Sequence, residues 1–220
     1  MAKAILITGT NRGIGLELAR QAAERGDHVT GTARRPDPAS FPHGPLLPAD
    51  VTDPDSLAPL AEGPPIDVLI CNAGQYLARG GLDDPAHTAE AWASVLMTNV
   101  AGVFFTVRAV LPRLRAANGA RVAVISSMMG STARAPGKSV IYRASKAAAT
   151  NLACNLAAEL EAEGIAVGAY HPGWVRTDMG GSAADISVEQ SAAGLLDRID
   201  ALDMASTGVF EDYRGQSIPF

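Results

Sequence analysis

Tyr142 and Lys146 have the types and the spacing of an acid–base pair. They lie four residues apart in a segment with a helical pattern, so both side chains fall on one helix face. A phenol with a pKa of about 10 is a poor acid–base catalyst at neutral pH, and a nearby ammonium lowers that pKa by stabilising the phenolate. The spacing alone also fits a half-buried tyrosine beside a solvated lysine. The catalytic interpretation therefore depends on what else the sequence places near this helix.

A pair of hydroxyl groups follows the apolar run Arg121–Ile125, which we predict to be a strand. Ser126 and Ser127 stand where that strand ends, and ligands of open α/β sheets bind at this carboxyl edge. A hydroxyl there can donate a hydrogen bond to a carbonyl oxygen as negative charge develops. We assign this role to Ser127, with Ser126 as the alternative, although Ser126 is expected to point into the sheet. Neither serine lies in a G-x-S-x-G motif, so a serine hydrolase is not indicated.

A glycine-rich turn lies between the first predicted strand and the first predicted helix. It reads TGTNRGIG over residues 8–15. Glycines in such a turn let backbone N–H groups approach a pyrophosphate at the positive end of the helix. Because the turn has a strand before it and a helix after it, we interpret it as a nucleotide site and not as a plain turn. The predicted contacts are Gly9, Asn11, Arg12, Gly13, Ile14 and Gly15.

The elements that must position these residues follow from short apolar runs alternating with longer helical patterns, which indicates βα units and a parallel sheet. Predicted strands are Ala4–Ile7, Val29–Thr32, Ile66–Cys71, Arg121–Ile125, Ile165–Tyr170 and an edge strand at Gly208–Phe210, with one short strand allowed at the end of the proline-rich stretch 34–48. Predicted helices are Gly15–Arg25, Asp53–Ala61, a long helix from Thr88 through Leu111, Ile141–Glu163 and Ser187–Leu202. The predicted fold class is α/β: a single-domain, doubly wound Rossmann-type parallel sheet of about seven strands with helices on both faces, over residues 1–220.

The composition narrows the class of protein. The chain has 220 residues with 18 basic and 23 acidic side chains, a net charge of −5, and 47% hydrophobic residues, which suits a folded core and gives no general attraction to nucleic acid. Cys71 and Cys154 are too few for a disulfide framework or a zinc site, so no metal is predicted. No uninterrupted apolar run reaches the roughly 18–20 residues of a membrane span. The first residues have the pattern of a strand and not of a signal peptide, so we expect a cytoplasmic protein with no membrane partner.

Three motifs, in order along the chain, resemble the short-chain dehydrogenase/reductase family. They are Thr8-Gly9-x-x-x-Gly13-x-Gly15, Asn72-Ala73-Gly74 and Tyr142-Arg143-Ala144-Ser145-Lys146, with Pro172-Gly173 in a matching place after the sixth strand. Their order and spacing agree over nearly the whole chain. Within the family, the segment 171–181 and the ending 215–220 resemble the C-factor-like, carbonyl-reductase-like branch.

The residues after the second predicted strand favour one nicotinamide cofactor. A carboxylate there accepts from the ribose 2′-hydroxyl of NAD, whereas an arginine suits the 2′-phosphate of NADP. Arg34 and Arg35 occupy this position, and the first acidic residue is Asp37. Arg12 in the glycine turn is expected to reach the same phosphate through a charge-assisted pair. We predict NADP(H) over NAD(H); the alternative is that Arg34 and Arg35 form a solvated loop end.

The resemblance implies roles for further residues. It implies that Asn99 distorts the long helix and holds a water leading to Lys146, and that Asp50 faces the adenine. It also implies that the Val175 backbone and Thr177 hold the nicotinamide carboxamide, while Asn72 braces the sheet more than it contacts cofactor. The remaining implied cofactor contacts are Val51, Ala73, Gly74, Tyr142, Lys146, Pro172 and Gly173.

Together these residues predict an NADP(H)-dependent oxidoreductase that interconverts an aldehyde, ketone or quinone and an alcohol by hydride transfer. Tyr142 is the expected general acid/base, Lys146 is expected to lower its pKa and contact the nicotinamide ribose, Ser127 orients the carbonyl, and Asn99 supports proton resupply. The alternative is a nucleotide-binding signalling protein of the C-factor type with weak or vestigial redox activity. A sugar-nucleotide epimerase or dehydratase is disfavoured, because too few residues follow the sixth strand to form a substrate lobe. A homodimer, or else a tetramer, paired through the two long helices is the expected assembly.

Overall fold

Seven parallel strands form one sheet in this computed structural model, which describes residues 2–220. The strands are β1 Ala4–Thr8, β2 His28–Ala33, β3 Leu46–Pro48, β4 Val68–Cys71, β5 Arg121–Ile125, β6 Ala166–His171 and β7 Phe210–Asp212. The sheet order is β3-β2-β1-β4-β5-β6-β7, and every neighbouring pair is parallel. The predicted fold class is therefore confirmed.

Helices cover both faces of this sheet. They are α1 Gly13–Glu24, α2 Ala89–Leu96, α3 Gly102–Arg115, α4 Val140–Leu160 and α5 Val188–Ala201, and a π-helical turn, Met97–Ala101, joins α2 to α3. The chain passes outward from β1 in both directions, first to β2 and β3 and later to β4 and beyond. A crevice forms outside the carboxyl ends of the strands at such a reversal, and it positions the site described below.

Alternating strand residues divide the core into two layers, because successive side chains of a strand point to opposite faces. In β5, Val122 and Val124 face α3 and α4 in one cluster, whereas Ala123 and Ile125 face α1 and α5 in the other. The strands are apolar on both faces, as expected for a parallel sheet covered by helices on each side.

Several predicted elements differ from the observed ones, and the long helix predicted from Thr88 is divided by the π-helical turn Met97–Ala101. The segment predicted as a helix from Asp53 is a 3-10 helix, Asp55–Ala61, with Pro59 inside it, and proline removes a donor that an α-helix would use. The edge strand lies at 210–212 instead of 208–210, because Gly208 has φ +85° and still belongs to the turn. The fourth strand begins at Val68, two residues later than predicted.

The helical stretch from Ala89 to Arg115 is long and apolar enough, by length and composition alone, to cross a membrane. The sequence argument counted only uninterrupted apolar runs and missed it. One face of this stretch carries Val103, Val107 and Leu114 into the core beside the sheet. Core helices of folded domains pass the same test, so the stretch is weak evidence for a membrane span.

Candidate active site

Helix α4 carries Tyr142 and Lys146 on one face, buried at the wall of the crevice. Their exposed fractions are 8% and 5%. The Lys146 Nζ lies 5.7 Å from the centre of the Tyr142 ring and donates a 2.7 Å hydrogen bond to the carbonyl oxygen of Ile125, the last residue of β5. The structure therefore brings the pair together at the carboxyl edge of the sheet, as the i,i+4 spacing requires.

Burial shifts the proton affinities of both groups. It raises the pKa of Tyr142 to about 12; a side-chain hydrogen bond with Ser127 acts the other way, and the neighbouring Tyr76 raises it further. Burial also lowers the pKa of Lys146 to about 8. The sequence argument expected a lowered phenol pKa. That net direction is wrong for this arrangement, because the cost of burying the phenolate outweighs the contributions that lower the pKa. At neutral pH the phenol holds its proton and can donate it.

The two candidate serines have different partners. Ser127 caps the short helix Met128–Gly130, accepting from the backbone N–H of Met129 at 3.1 Å, and its hydroxyl also interacts with Tyr142. Ser126 lines the crevice, but its hydroxyl lies 2.6 Å from Thr150 Oγ1 and bonds the Lys146 carbonyl oxygen at 3.2 Å. Of the two alternatives, only Ser127 has its hydroxyl beside the phenol.

Asn99 lies at the centre of the π-helical turn and is buried. Its Nδ2 donates to the Gln75 carbonyl oxygen and to Ser145 Oγ, both at 2.9 Å, while its Oδ1 accepts from the Gln75 N–H at 2.8 Å. A Cβ on Gly74 would lie 3.4 Å from Asn99 Oδ1 and 3.7 Å from Lys146 Nζ. The asparagine thus ties the loop after β4 to α4, and Gly74 lies next to that junction.

A cavity of about 1110 Å³ runs along the crevice from the glycine turn to the Tyr142–Lys146 pair. Within residues 2–220, no side chain caps the N-terminus of α1 at Arg12, so its first N–H groups face this space. A Cβ on Gly9, which has φ +73°, would lie 3.1 Å from the Ala73 backbone. Thr98 Oγ1, on the same wall, is buried without a partner in the described chain. A helix N-terminus with free donors fits the pyrophosphate of a dinucleotide.

Most of the predicted cofactor residues line this cavity. They are Gly9, Asn11, Arg12, Gly13, Ile14, Gly15, Arg34, Asp50, Val51, Asn72, Ala73, Gly74, Tyr142, Lys146, Pro172 and Thr177. Gly173 and Val175 do not lie on its wall. Gly173 faces Ile186 and Tyr213, and the buried Val175 pairs with Ile186 as an isolated bridge.

Some lining residues already have protein partners. Asn72 Nδ2 donates to the carbonyl oxygens of Thr8 and Gly9 at 2.9 and 3.0 Å, so it braces the glycine turn, as expected. Arg12 forms a 2.8 Å ion pair with Asp178, and both side chains are exposed. Exposed pairs of this kind contribute little to stability, so Arg12 remains open to exchange its partner for a phosphate.

Sequence reasoning missed one residue that contacts the Tyr142 ring. Tyr76 lies in the loop after β4, and its ring stacks on the Tyr142 ring at 4.2 Å between centroids. The pair is 66 positions apart, so no local spacing marks it. Its place two residues after Asn72-Ala73-Gly74 was the one available signal.

Comparison with known proteins identifies the family. The sequence model described as short chain dehydrogenase matches residues 3–186. The chain belongs to the short-chain dehydrogenase family. It is an oxidoreductase of the C-factor-like, carbonyl-reductase-like branch, as the motifs predicted.

Three relatives illustrate this placement of the short-chain dehydrogenase. The C-signal of Myxococcus xanthus is 38% identical over 162 residues, which cover 71% of this chain and 93% of that protein. The 3-oxoacyl-(acyl-carrier-protein) reductase FabG of Escherichia coli is 31% identical over 210 residues, covering 90% and 82%. The solved structure of the NADPH-bound carbonyl reductase from chicken fatty liver has a TM-score of 0.89 at 28% identity, covering 100% of this chain and 99% of that one.

Proposed function

We propose that this short-chain dehydrogenase is an NADP(H)-dependent carbonyl reductase that interconverts an aldehyde, ketone or quinone and an alcohol. The observation that carries the proposal is the buried Tyr142 phenol, placed beside Lys146 and Ser127 on the wall of the cavity that begins at the glycine turn. A protein that only binds a nucleotide does not need Tyr142, Lys146 and Ser127 grouped at the carboxyl edge of the sheet.

The protein side chains divide the work of the proposed reaction. A bound nicotinamide supplies or accepts the hydride. Ser127 donates a hydrogen bond to the substrate oxygen, and Tyr142, protonated at neutral pH, gives that oxygen its proton during reduction. Lys146, while charged, stabilises the phenolate that remains. Asn99 holds the Gln75 loop against α4 and so keeps the wall of the site in place.

The proposed preference for NADP(H) is supported by charge. Arg34 and Arg12 both line the cavity and are exposed, while Asp50, a carboxylate on the same wall, accepts from the backbone N–H and hydroxyl of Thr52 at 2.9 and 2.7 Å. Guanidinium groups attract a 2′-phosphate that a carboxylate would repel. The NADPH-bound carbonyl reductase from chicken fatty liver has the same overall fold.

The test is dinucleotide consumption against a panel of aldehydes, ketones and quinones, with NADPH and NADH compared. We expect turnover with NADPH for at least one carbonyl class. Tyr142→Phe should lower kcat by about 10²–10⁴, the usual contribution of a general acid, while the Kd for NADPH stays near that of the wild type. A Tyr142→Phe variant with near-normal kcat would reject the assignment.

A second candidate function is that of a nucleotide-binding signalling protein of the C-factor type with weak or vestigial redox activity. The 38% identity to the C-signal of Myxococcus xanthus, over nearly all of that protein, favours it. In that case NADPH binds but no carbonyl in the panel is reduced, and Tyr142→Phe changes nothing measurable. The same assay therefore separates the two candidates.

The proposed setting is a cytoplasmic homodimer acting on a small-molecule substrate. Met97 and Phe104 support the assembly, since they are 38% and 39% exposed on the α2–α3 stretch that the sequence analysis assigned to pairing. Exposed apolar side chains on one helix face suit a second copy of the chain.

A further inference from the structure

The ring of Tyr76 covers one face of the Tyr142 ring. The ring centres are 4.2 Å apart and the planes are inclined by 26°, which is a stacked pair. Aromatic pairs of this kind prefer offset stacking and add to the energy of area burial. A phenol whose face is covered by another ring has less freedom to rotate and less contact with water. Tyr76 therefore acts on the orientation and the environment of the proposed proton donor.

Tyr76 is itself held from its other side. The guanidinium of Arg79 lies 4.5 Å from the centre of the Tyr76 ring, within the range of a cation–π contact. Arg79 also donates a 2.7 Å hydrogen bond to the carbonyl oxygen of Met179, in the segment after β6 that lines the cavity. The three groups form a stack, Arg79 on Tyr76 on Tyr142, that links the segment after β6 to helix α4.

The hydroxyl of Tyr76 is fixed at the start of the same helix. Its oxygen lies 2.7 Å from Ser139 Oγ. Ser139 is the N-cap residue of α4, yet its side chain makes no capping hydrogen bond; it contacts Tyr76 and the Arg79 carbonyl oxygen at 3.2 Å. Serine at an N-cap usually accepts from the helix backbone. Here the N-cap hydroxyl is used to hold the loop that carries Tyr76.

We propose that Tyr76 is a positioning residue, whose stacked ring sets the orientation of the Tyr142 phenol. The inference rests on the proposed function of Tyr142 as proton donor. The titratable groups facing the phenol are Lys146 on its own helix and Tyr76 from the loop after β4, with the Arg79 cation behind Tyr76. Ser127 faces it from the end of β5. Removing the Tyr76 ring exposes the phenol to water, which reduces the burial that holds its pKa high.

The experiment compares Tyr76→Leu with Tyr76→Phe. Leucine loses the stack, whereas phenylalanine keeps the ring and loses only the bond to Ser139. We expect Tyr76→Leu to lower kcat by roughly three- to tenfold, the fold-change that corresponds to the loss of an aromatic pair, with the Kd for NADPH unchanged. Tyr76→Phe should restore kcat to within about twofold of the wild type. Leu77→Ala, an exposed neighbour on the same loop, is the matched control and should change neither quantity.

A second readout does not depend on turnover. The ultraviolet absorbance of the Tyr142 phenolate, taken as the difference between each protein and its Tyr142→Phe partner, reports the phenol pKa. We expect the pKa to be lower in Tyr76→Leu than in Tyr76→Phe, because phenylalanine keeps the ring that buries the phenol and loses only the charge effect of the Tyr76 hydroxyl. If the wild type reduces no carbonyl, the proposed function fails, and this titration still decides whether Tyr76 controls the phenol.

Three results would overturn the inference. One is a Tyr76→Leu variant with the kcat and the phenol pKa of the wild type. Another is a Tyr76→Phe variant as impaired as Tyr76→Leu, because the Ser139 bond and not the stack would then be decisive. The third is a Tyr76→Leu variant that loses NADPH affinity and thermal stability in proportion to kcat, which indicates general collapse of the loop.

Discussion

Burial shifts the pKa values of Tyr142 and Lys146 in opposite directions. It makes the phenol keep its proton, with a pKa of about 12, and makes the ammonium release its proton more easily, with a pKa of about 8. Both shifts follow from the cost of holding a charge away from water. The pair is therefore arranged to donate a proton at neutral pH, and the charge of Lys146 is the part that varies near physiological conditions.

The pH dependence of carbonyl reduction should follow Lys146. The pKa of this base is lowered, so the side chain is charged below about pH 8 and neutral above it. We expect kcat to fall by about tenfold for each pH unit above that value, since the phenolate left after proton donation loses its stabilising charge. The Lys146→Met variant should have a low kcat at every pH, and its kcat should not show this additional fall above pH 8. A wild-type profile that stays level to about pH 10, the ordinary range of lysine, would contradict the assignment.

For individual residues, the sequence predicts contacts between near neighbours along the chain well and contacts between distant segments poorly. Tyr142 and Lys146 could be paired because four residues on a helix bring side chains together whatever the tertiary fold. The direction of the Tyr142 pKa could not be predicted, because it depends on how deeply the fold buries the ring. The contact between Tyr76 and Tyr142 was also missed, because it joins a loop to a helix far along the chain and therefore depends on the tertiary fold.

The backbone immediately before α4 is unusual. Gly137, Lys138 and Ser139 have φ values of +86°, +58° and +50°, so three consecutive residues lie in the left-handed region. Glycine adopts this conformation freely, whereas residues with a Cβ do so at a cost. Such strained backbone occurs at functional sites when the surrounding structure maintains it. Here the Ser139 N–H donates to the Gly80 carbonyl oxygen at 2.9 Å, which fixes the helix start against the Tyr76 loop.

Replacing Lys138 by glycine should stabilise the protein. Lys138 is exposed, so the main effect is relief of left-handed strain, and we expect the free energy of unfolding to rise by about 0.5–1 kcal/mol. For a chain of this size that corresponds to a rise of roughly 1–4 °C in Tm. Lys138→Ala removes the same charge and keeps the strain, so its Tm should not rise. Equal Tm values for the two variants would refute the explanation.

Element boundaries were predicted well where a change in the side-chain pattern marks them. They were missed where the backbone conformation of a proline or a glycine sets the boundary. The end of β5 and the course of α4 were predicted from apolar patterns, and these two elements bring Ser127 and Tyr142 to one edge of the sheet. The 3-10 helix at Asp55–Ala61 and the late start of β7 depend on a proline and on Gly208, whose effects on the turn are not visible in hydrophobic periodicity.

For the molecule as a whole, the crevice connects two regions with different proposed roles, one for cofactor binding and one for proton transfer. The turn after β1 leads to the uncapped N-terminus of α1, and α4 beside the end of β5 carries Tyr142 and Lys146. A ligand that spans both halves binds only the folded chain and so stabilises it. The predicted fold class, a doubly wound parallel sheet, implies such a crevice, whereas the strand order came only from the structure.

Thermal unfolding should report the cofactor preference. A ligand at a hundredfold excess over its Kd stabilises a protein by about 2.7 kcal/mol. We expect NADPH to raise Tm more than NADH at equal concentration. Arg34→Ala should narrow that difference, since hydrogen bonds to charged groups contribute about 1.5–3 kcal/mol.

Arg115→Ala is the control for that comparison. Arg115 pairs with Glu163 away from the cavity, so its replacement should leave the difference between the two dinucleotides intact. Equal Tm shifts from NADPH and NADH in the wild type would contradict the proposed preference.

The place of β1 between β2 and β4 has a consequence for how the chain reaches its native state. Ile5 pairs with Val29 on one side and with Val68 on the other, so β1 has an unpaired edge after its synthesis until β4 has also been made. Closing such long loops costs chain entropy before the contacts repay it, which slows folding relative to helical bundles. The apolar segment at 4–8 therefore needs protection from aggregation while the nascent protein is incomplete.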